Sequence, residues 1–184
     1  MNGGCGFLLT LFWSIFVTDK FEFSINHDFL STISNCANRE ETWINKSIIS
    51  TYNTLHDLGY AHSIEVWEDK KLKGGLYGVA IGKVFFAESM FSTSSNGSKL
   101  ALIALMGTLA LNKFLLLDVQ FLTDHLRTMG AKEISRALFL NLIKKSTSEK
   151  VRFNKPSSVI IDEMLINKAE MKSLIGISKL KHQI

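Results

Sequence analysis

The sequence predicts one mixed α/β domain whose central sheet is mostly antiparallel and is flanked by helices. The chain has 184 residues, of which 46% are hydrophobic and only one is proline, and this composition suits a folded domain with its own core. Alternating and glycine-rich apolar runs between residues 62 and 92 predict a three-stranded antiparallel meander. Segments with apolar residues at helical spacing lie on both sides of this meander.

Two helices are expected before the meander. Asn26 is a candidate cap for a short helix over residues 26–37, and Asn45 is a candidate cap for a second helix that stops near Gly59. The middle strand of the meander contains four glycines, a composition that suits the close approach of another backbone or a ligand. The three predicted strands cover residues 62–68, 72–82 and 84–92.

Helices and a further strand follow the meander. A polar loop over residues 93–99 opens a hydrophobic helix that runs to about Asn112, and residues 114–120 read as a buried strand. Thr123 is a candidate cap for a short helix, and a last helix begins at Ser135. This order suits a domain of the acetyltransferase (GNAT) type, although several α+β folds share it.

The ends of the chain differ from its centre in composition. We expect a divergent segment over residues 1–20, a domain over residues 21–145, and a tail of unknown role over residues 146–184. The apolar run at residues 7–17 is too short to span a membrane, and no basic residue precedes Lys20 as in an export signal. We interpret this run as a core strand or as sequence outside the domain, and we expect a cytoplasmic protein.

Several classes of function find little support in the composition. The net charge of +4 permits contact with a polyanion without requiring it. Cys5 and Cys36 show no metal-ligand spacing and are expected to be reduced thiols. The glycines of "GGLYGVAIG" lie inside a strand, so they do not form a dinucleotide-binding loop. We therefore expect neither a metal nor a cofactor.

Three polar side chains interrupt the apolar strands and are the candidate site. Glu88 lies within "VFFAESMFS", where an ionised carboxylate is costly without a partner. Strict alternation places it on one face with Phe86 and Met90, and a β-bulge would change that assignment. Asp118 and Gln120 share a face if their strand is regular. The alternative for all three is structural: a paired carboxylate, or caps for buried backbone groups.

The order and spacing of several motifs are similar to those of the leucyl/phenylalanyl-tRNA–protein transferase family. The resemblance covers residues 21–145, about two-thirds of the chain, and rests most specifically on "ESMFS" followed by Asp118, Gln120 and the "DH" of residues 124–125. The motifs are "EETWI", "TYNTLHDLGYAHSIEVWE", "GGLYGVAIG", "FFAESMFS", "NGSK" and "LLLDVQFLTDH".

The resemblance implies an aminoacyltransferase with an acetyltransferase-like fold. Its partners would be Leu-tRNA or Phe-tRNA and proteins that begin with Arg or Lys, which the transferred Leu, Phe or Met marks for degradation. Asp118 and Gln120 fall on the family's catalytic pair, and Glu88 falls on its substrate-binding glutamate. Trp43 falls on a tryptophan near the terminal adenosine, with ordinary core packing as the alternative. No membrane partner is expected, and the protein would be a monomer.

An apolar pocket for the transferred side chain is part of the same expectation. Such a pocket would accept both Leu and Phe, because apolar sites separate similar side chains by only about 1–3 kcal/mol. The family's N-terminal domain, with its "WWSP" motif, is not evident here, so we expect weak tRNA binding by this chain alone. The alternatives are a degenerate member that binds peptide or tRNA ends without turnover, and an acyltransferase that uses another activated donor. The pocket residues would be Leu76, Phe85, Met90, Leu102, Leu105 and Leu117.

Overall fold

The computed structural model describes residues 21–146, Phe153 and the backbone of residues 175–178. The predicted apolar run at residues 7–17, Cys5 and most of the tail lie outside the described residues. Among the described residues, no helix is long and apolar enough to cross a membrane. The helices are α1 Phe29–Ala37, α2 Lys46–Asp57, α3 Gly97–Leu111, α4 Asp124–Thr128 and α5 Arg136–Ser146. The strands are β1 Glu22–Ile25, β2 Ala61–Glu68, β3 Lys71–Ile81, β4 Val84–Ser92, β5 Leu116–Asp118, β6 Lys132–Ile134 and β7 Ile175–Ser178.

The strands form one sheet in the order β1-β2-β3-β4-β5-β7-β6. The first four are an antiparallel meander, which confirms the predicted block and adds β1 to it. The remaining pairings, β4 with β5, β5 with β7 and β7 with β6, are parallel and short. The mixed α/β class and the mostly antiparallel sheet are thus confirmed.

Local capping explains most of the helix starts. The side chain of Asn45 accepts the Ile48 N–H at 3.0 Å, and that of Thr123 accepts the Leu126 N–H at 3.2 Å, as predicted. The predicted cap Asn26 is wrong, because the cap of α1 is Asp28, which accepts the Ser31 N–H. Asn26 instead bonds β2 through its side chain.

The sheet has helices on both faces. On one face α3 packs against the sheet in a core that includes Leu76, Phe85 and Leu117. On the other face α1 and α2 pack against residues that include Tyr77 and Phe91. Leu76 and Tyr77 are neighbours in β3, so they point to opposite faces as the pleat requires.

The glycines of the middle strand allow a close approach between two backbones. A Cβ atom on Gly74 would lie 2.4 Å from the carbonyl carbon of Gly97, at the first turn of α3. Both residues must therefore lack a side chain for α3 to begin where it does. The predicted close approach is confirmed at this position, and it draws the start of α3 onto the meander.

A carboxylate that the sequence did not single out is completely buried in β2. Glu65 accepts hydrogen bonds from the hydroxyls of Ser24 and Ser63, each at 2.5 Å. The backbone N–H groups of His27 and Asp28 also donate to it, at 3.4 Å. Glu65 therefore ties β1 and the start of α1 to the sheet, and these donors provide hydrogen bonds for its buried carboxyl oxygens.

Candidate active site

Glu88 occupies a β-bulge in β4. Tyr77 of β3 pairs with Ser89 and Gly78 pairs with Ala87, so Glu88 is the extra residue in this register. Strict alternation across it is therefore wrong. Met90 packs on the α3 face of the sheet, whereas the charge of Glu88 acts on Tyr52 of α2, which packs on the other face.

Gln120 lies in a tight turn and not in a strand. The predicted strand over residues 114–120 is shorter than expected, because β5 ends at Asp118. The Phe121 N–H donates to the Val119 carbonyl at 2.6 Å, which closes a three-residue γ-turn around Gln120. Gln120 has φ of +60°, a conformation that costs a non-glycine residue about 1–2 kcal/mol. Such strain is found preferentially at functional sites.

The three predicted polar residues are nevertheless brought together. Asp118 Oδ1 accepts the backbone N–H of Gln120 at 3.0 Å and so supports the turn. Gln120 Nε2 donates to Glu88 Oε2 at 3.3 Å. A carboxylate can only accept, so this contact fixes the orientation of the amide and leaves Gln120 Oε1 as its acceptor atom.

Both carboxyl groups are shifted toward the protonated form. Burial is the main cause that raises the pKa of Glu88, and the charge of Asp118 raises it further, while hydrogen bonds from Gln120 and Tyr52 act in the opposite direction. Burial also raises the pKa of Asp118, which is only 5% exposed, against the effect of the Gln120 N–H. Each carboxylate is thus a better proton acceptor than it would be in water.

A layer of residues behind Glu88 was not recognised from the sequence as part of the site. Tyr52 of α2 packs against the apolar cluster on that face of the sheet. The Arg39 guanidinium donates to Ser89 Oγ at 3.0 Å and to the Met90 carbonyl at 2.8 Å, and so holds the bulged part of β4. Nothing in the local pattern pairs Arg39 with residues fifty positions away.

The predicted pocket residues belong to one cluster on the α3 face. Five of them are no more than 1% exposed, and Met90 is half-buried against them. Glu88 faces the opposite side of the sheet. A ligand that contacts both the apolar cluster and the Glu88 carboxylate would therefore lie at the end of β5. There β4 continues to Ser92 beyond its last pairing with β5. The five buried residues are Leu76, Phe85, Leu102, Leu105 and Leu117.

Trp43 lies in the loop between α1 and α2 and is 52% exposed. This exposure excludes the core-packing alternative. An exposed aromatic ring is the kind of surface on which a nucleobase stacks. Within the described ranges, no group of three or more His, Cys, Asp or Glu side chains is placed to hold a metal ion.

Comparison with known proteins identifies the family. A family model described as Leucyl/phenylalanyl-tRNA protein transferase matches residues 14–144, and this match begins inside the segment expected to be divergent. The chain is 51% identical over 127 residues to the Leucyl/phenylalanyl-tRNA--protein transferase of Dinoroseobacter shibae, covering 69% of this chain and 57% of that protein. The proteins of the same name from Maricaulis maris and Zymomonas mobilis are 45% and 50% identical over 150 and 135 residues.

These alignments cover 79% and 71% of this chain, and 68% and 50% of the two relatives. The chain thus spans about half to two-thirds of the length of the curated relatives it matches. The family match covers the bulge of Glu88, the turn of Gln120 and the helices that pack against them. This chain belongs to the leucyl/phenylalanyl-tRNA protein transferase family.

Proposed function

We propose that this chain carries the site that moves Leu, Phe or Met from an aminoacyl-tRNA to the N-terminal Arg or Lys of an acceptor protein. The observation that supports it is the linked arrangement of Glu88, Gln120 and Asp118, built on a bulge and a strained turn. The acceptor protein would be marked for degradation in the cytoplasm. The transferase would act as a monomer on its two substrates.

The reaction requires little chemistry beyond positioning and proton transfer. The α-amine of the acceptor attacks the ester carbonyl carbon, a C–N bond forms, the ester C–O bond breaks, and a proton passes from the nitrogen to the leaving ribose oxygen. An α-amino group has a pKa of about 8, so part of it is neutral at pH 7. The ester is already activated, and correct placement of the amine therefore contributes much of the rate.

Gln120 is the proposed contact with the attacking amine. Its Oε1 atom can accept an N–H of the amine, because Nε2 is engaged by Glu88. An amide is not a base, so the proton must pass to a carboxylate or directly to the leaving oxygen. Glu88, whose pKa is raised mainly by burial, is the proposed acceptor, because its carboxylate contacts the side chain of Gln120.

Asp118 has a supporting role in this proposal. Its carboxylate accepts the Gln120 backbone N–H and so stabilises the turn that directs the amide. Asp118→Asn retains an oxygen that can accept this N–H but removes the charge. If Asp118 only supports the turn, Asp118→Asn keeps most of the transfer activity, whereas a role as proton acceptor predicts a loss of at least about 100-fold.

The remaining substrate groups have proposed places as well. The transferred side chain would contact the apolar cluster that contains Leu76, Phe85, Met90, Leu102, Leu105 and Leu117, and Trp43 would stack on the terminal adenine. The fold supports an acetyltransferase-like arrangement. A meander leads through a helix into a parallel strand, β5, that pairs with β4 over only three residues.

The test is transfer of labelled Phe from Phe-tRNA to a peptide with N-terminal Arg, using the full chain. A peptide with the same sequence and an acetylated N-terminus is the substrate control. Gln120→Ala and Glu88→Ala should abolish transfer, whereas Asp57→Ala, an exposed acid at the end of α2, should not. Absence of transfer by the unaltered chain would refute the proposal, and tRNA or peptide binding without transfer would indicate the degenerate alternative.

A further inference from the structure

The loop between α1 and α2, residues 38–45, is held near each of its ends. Near the second end, Ile44 is 4% exposed and packs in the apolar cluster on the α1 face of the sheet. Near the first, Nη2 of Arg39 donates to Ser89 Oγ at 3.0 Å and to the Met90 carbonyl at 2.8 Å. Residues 40–43 between these contacts are exposed, so the two contacts decide where the ring of Trp43 lies relative to the sheet.

The acceptors of Arg39 lie in the part of β4 that has the fewest strand pairings. Among the described strands, β5 pairs with β4 only over residues 84–86. Beyond them β4 pairs with β3 alone, and the bulge at Glu88 interrupts that ladder. The two acceptors come directly after the bulge. The hydrogen bonds from Arg39 therefore restrain β4 where its backbone pairing is weakest.

We propose that Arg39 is a positioning residue of the transfer site, which fixes the loop of Trp43 against the bulge of Glu88. Its effect on the rate rests on the proposed function, in which Trp43 stacks on the terminal adenine and Glu88 and Gln120 meet the reacting amine. The contact itself can be tested without that function. Arg39 touches neither substrate in this scheme. It sets the distance between the stacking ring and the carboxylate, so that the ester of a stacked adenosine meets the amine.

A guanidinium suits this contact better than another cation does. Hydrogen bonds from a charged donor are shorter and stronger than those between neutral groups. Both bonds leave the same nitrogen of Arg39, and the planar group fixes the directions of its two N–H bonds. A lysine ammonium carries the same charge, but it rotates on a flexible stem. Arg39→Lys therefore separates the charge of this residue from its geometry.

The kinetic experiment measures transfer of labelled Phe from Phe-tRNA to the Arg peptide by the full chain. Arg39→Ala should lower kcat about 10- to 100-fold, because a misplacement of about 1 Å between reacting groups can cost about 100-fold. KM for Phe-tRNA should change less than about threefold, since the ring of Trp43 is retained. Arg39→Lys should be impaired to within about threefold of Arg39→Ala. The matched control is Arg136→Ala, at an exposed position in the first turn of α5, which should leave both constants unchanged.

Three outcomes of these assays overturn the inference. The first is an Arg39→Ala variant with the kcat and KM of the unaltered chain. The second is a raised KM for Phe-tRNA with unchanged kcat, which would mean that Arg39 binds a phosphate of the tRNA. The third is full activity of Arg39→Lys, which would mean that the charge alone is required.

A second measurement tests the contact without transfer. The full chain has three tryptophans, and it is labelled with fluorotryptophan so that each gives a ¹⁹F NMR signal, assigned by Trp43→Phe and Trp67→Phe. In Arg39→Ala the Trp43 signal should move or broaden. The Trp67 signal, which comes from β2, should keep its position and so report that the fold is retained. Arg136→Ala should change neither signal.

The NMR result separates this inference from the proposed function. An unchanged Trp43 signal in Arg39→Ala overturns the inference even if transfer falls. Movement of both signals means that Arg39 supports the fold as a whole, and it also overturns the positioning role. An unaltered chain that transfers nothing, with a Trp43 signal that responds as expected, refutes the proposed function and leaves the contact of Arg39 with the bulge established.

Discussion

The turn at Gln120 should be strained, and the strain can be measured by comparing two substitutions at this position. Gln120→Ala and Gln120→Gly both remove the amide and its hydrogen bond to Glu88. The two variants therefore differ only in how easily the residue adopts φ of +60°. At an ordinary position glycine is less stable than alanine by about 0.5–1 kcal/mol, because it loses more conformational freedom on folding.

The geometry of the turn should reverse that order. The left-handed conformation costs alanine about 1–2 kcal/mol and costs glycine almost nothing. Glycine avoids this cost but loses more conformational entropy on folding than alanine does. The free energy of unfolding of Gln120→Gly should therefore be about 0.5–1 kcal/mol greater than that of Gln120→Ala. Both variants should lose transfer activity, because neither carries the amide.

Urea denaturation of the two variants measures the difference directly. Asn53 in α2 provides the control, because glycine within a helix is less stable than alanine by about 1 kcal/mol. If Gln120→Gly is less stable than Gln120→Ala, the turn is not strained. If Gln120→Gly retains transfer, the amide is not needed and the proposed role of Gln120 is wrong.

Three further predictions concern the frame around the site. Glu65→Gln should destabilise the fold by roughly 2 kcal/mol or more, because an amide cannot accept from all the donors that face Glu65. The control is Glu41→Gln at an exposed position, which should change the free energy of unfolding by less than about 0.5 kcal/mol. Burial and, to a lesser extent, the charge of His56 lower the pKa of His62 from 6.5 to about 4. Between pH 4 and pH 6.5, therefore, the His62 imidazole is protonated in the unfolded chain and neutral in the folded chain. Stability should therefore fall by about 1.4 kcal/mol per pH unit as the pH decreases through this window, and His62→Leu should remove that component in matched urea titrations. Gly74→Ala should shift the start of α3 and lower the melting temperature more than Gly59→Ala, because a Cβ at Gly59 meets no atom within 4 Å although its φ is +79°.

Local chemistry made much of the fold predictable. Asn45 and Thr123 cap their helices through hydrogen bonds to residues three positions away, so the signal lies within one turn of sequence. The alternation of β2 and the apolar runs of β3 and β4 likewise indicate strands before any partner is known. The short strands β1 and β6 were missed, because segments of four and three residues carry too little periodicity to separate them from loops.

The sequence by itself determined which polar groups are available to the site: Glu88 among apolar neighbours, and Asp118 with Gln120 two positions later. The tertiary structure alone decided how they meet. The register between β3 and β4 places the extra residue at Glu88, and the end of β5 places Gln120 in a turn. Arg39 meets Ser89 and Met90 only because α1 packs on that face of the sheet. Registers and packing are set by pairings between distant segments, so a reading of local pattern could name these residues but not their contacts.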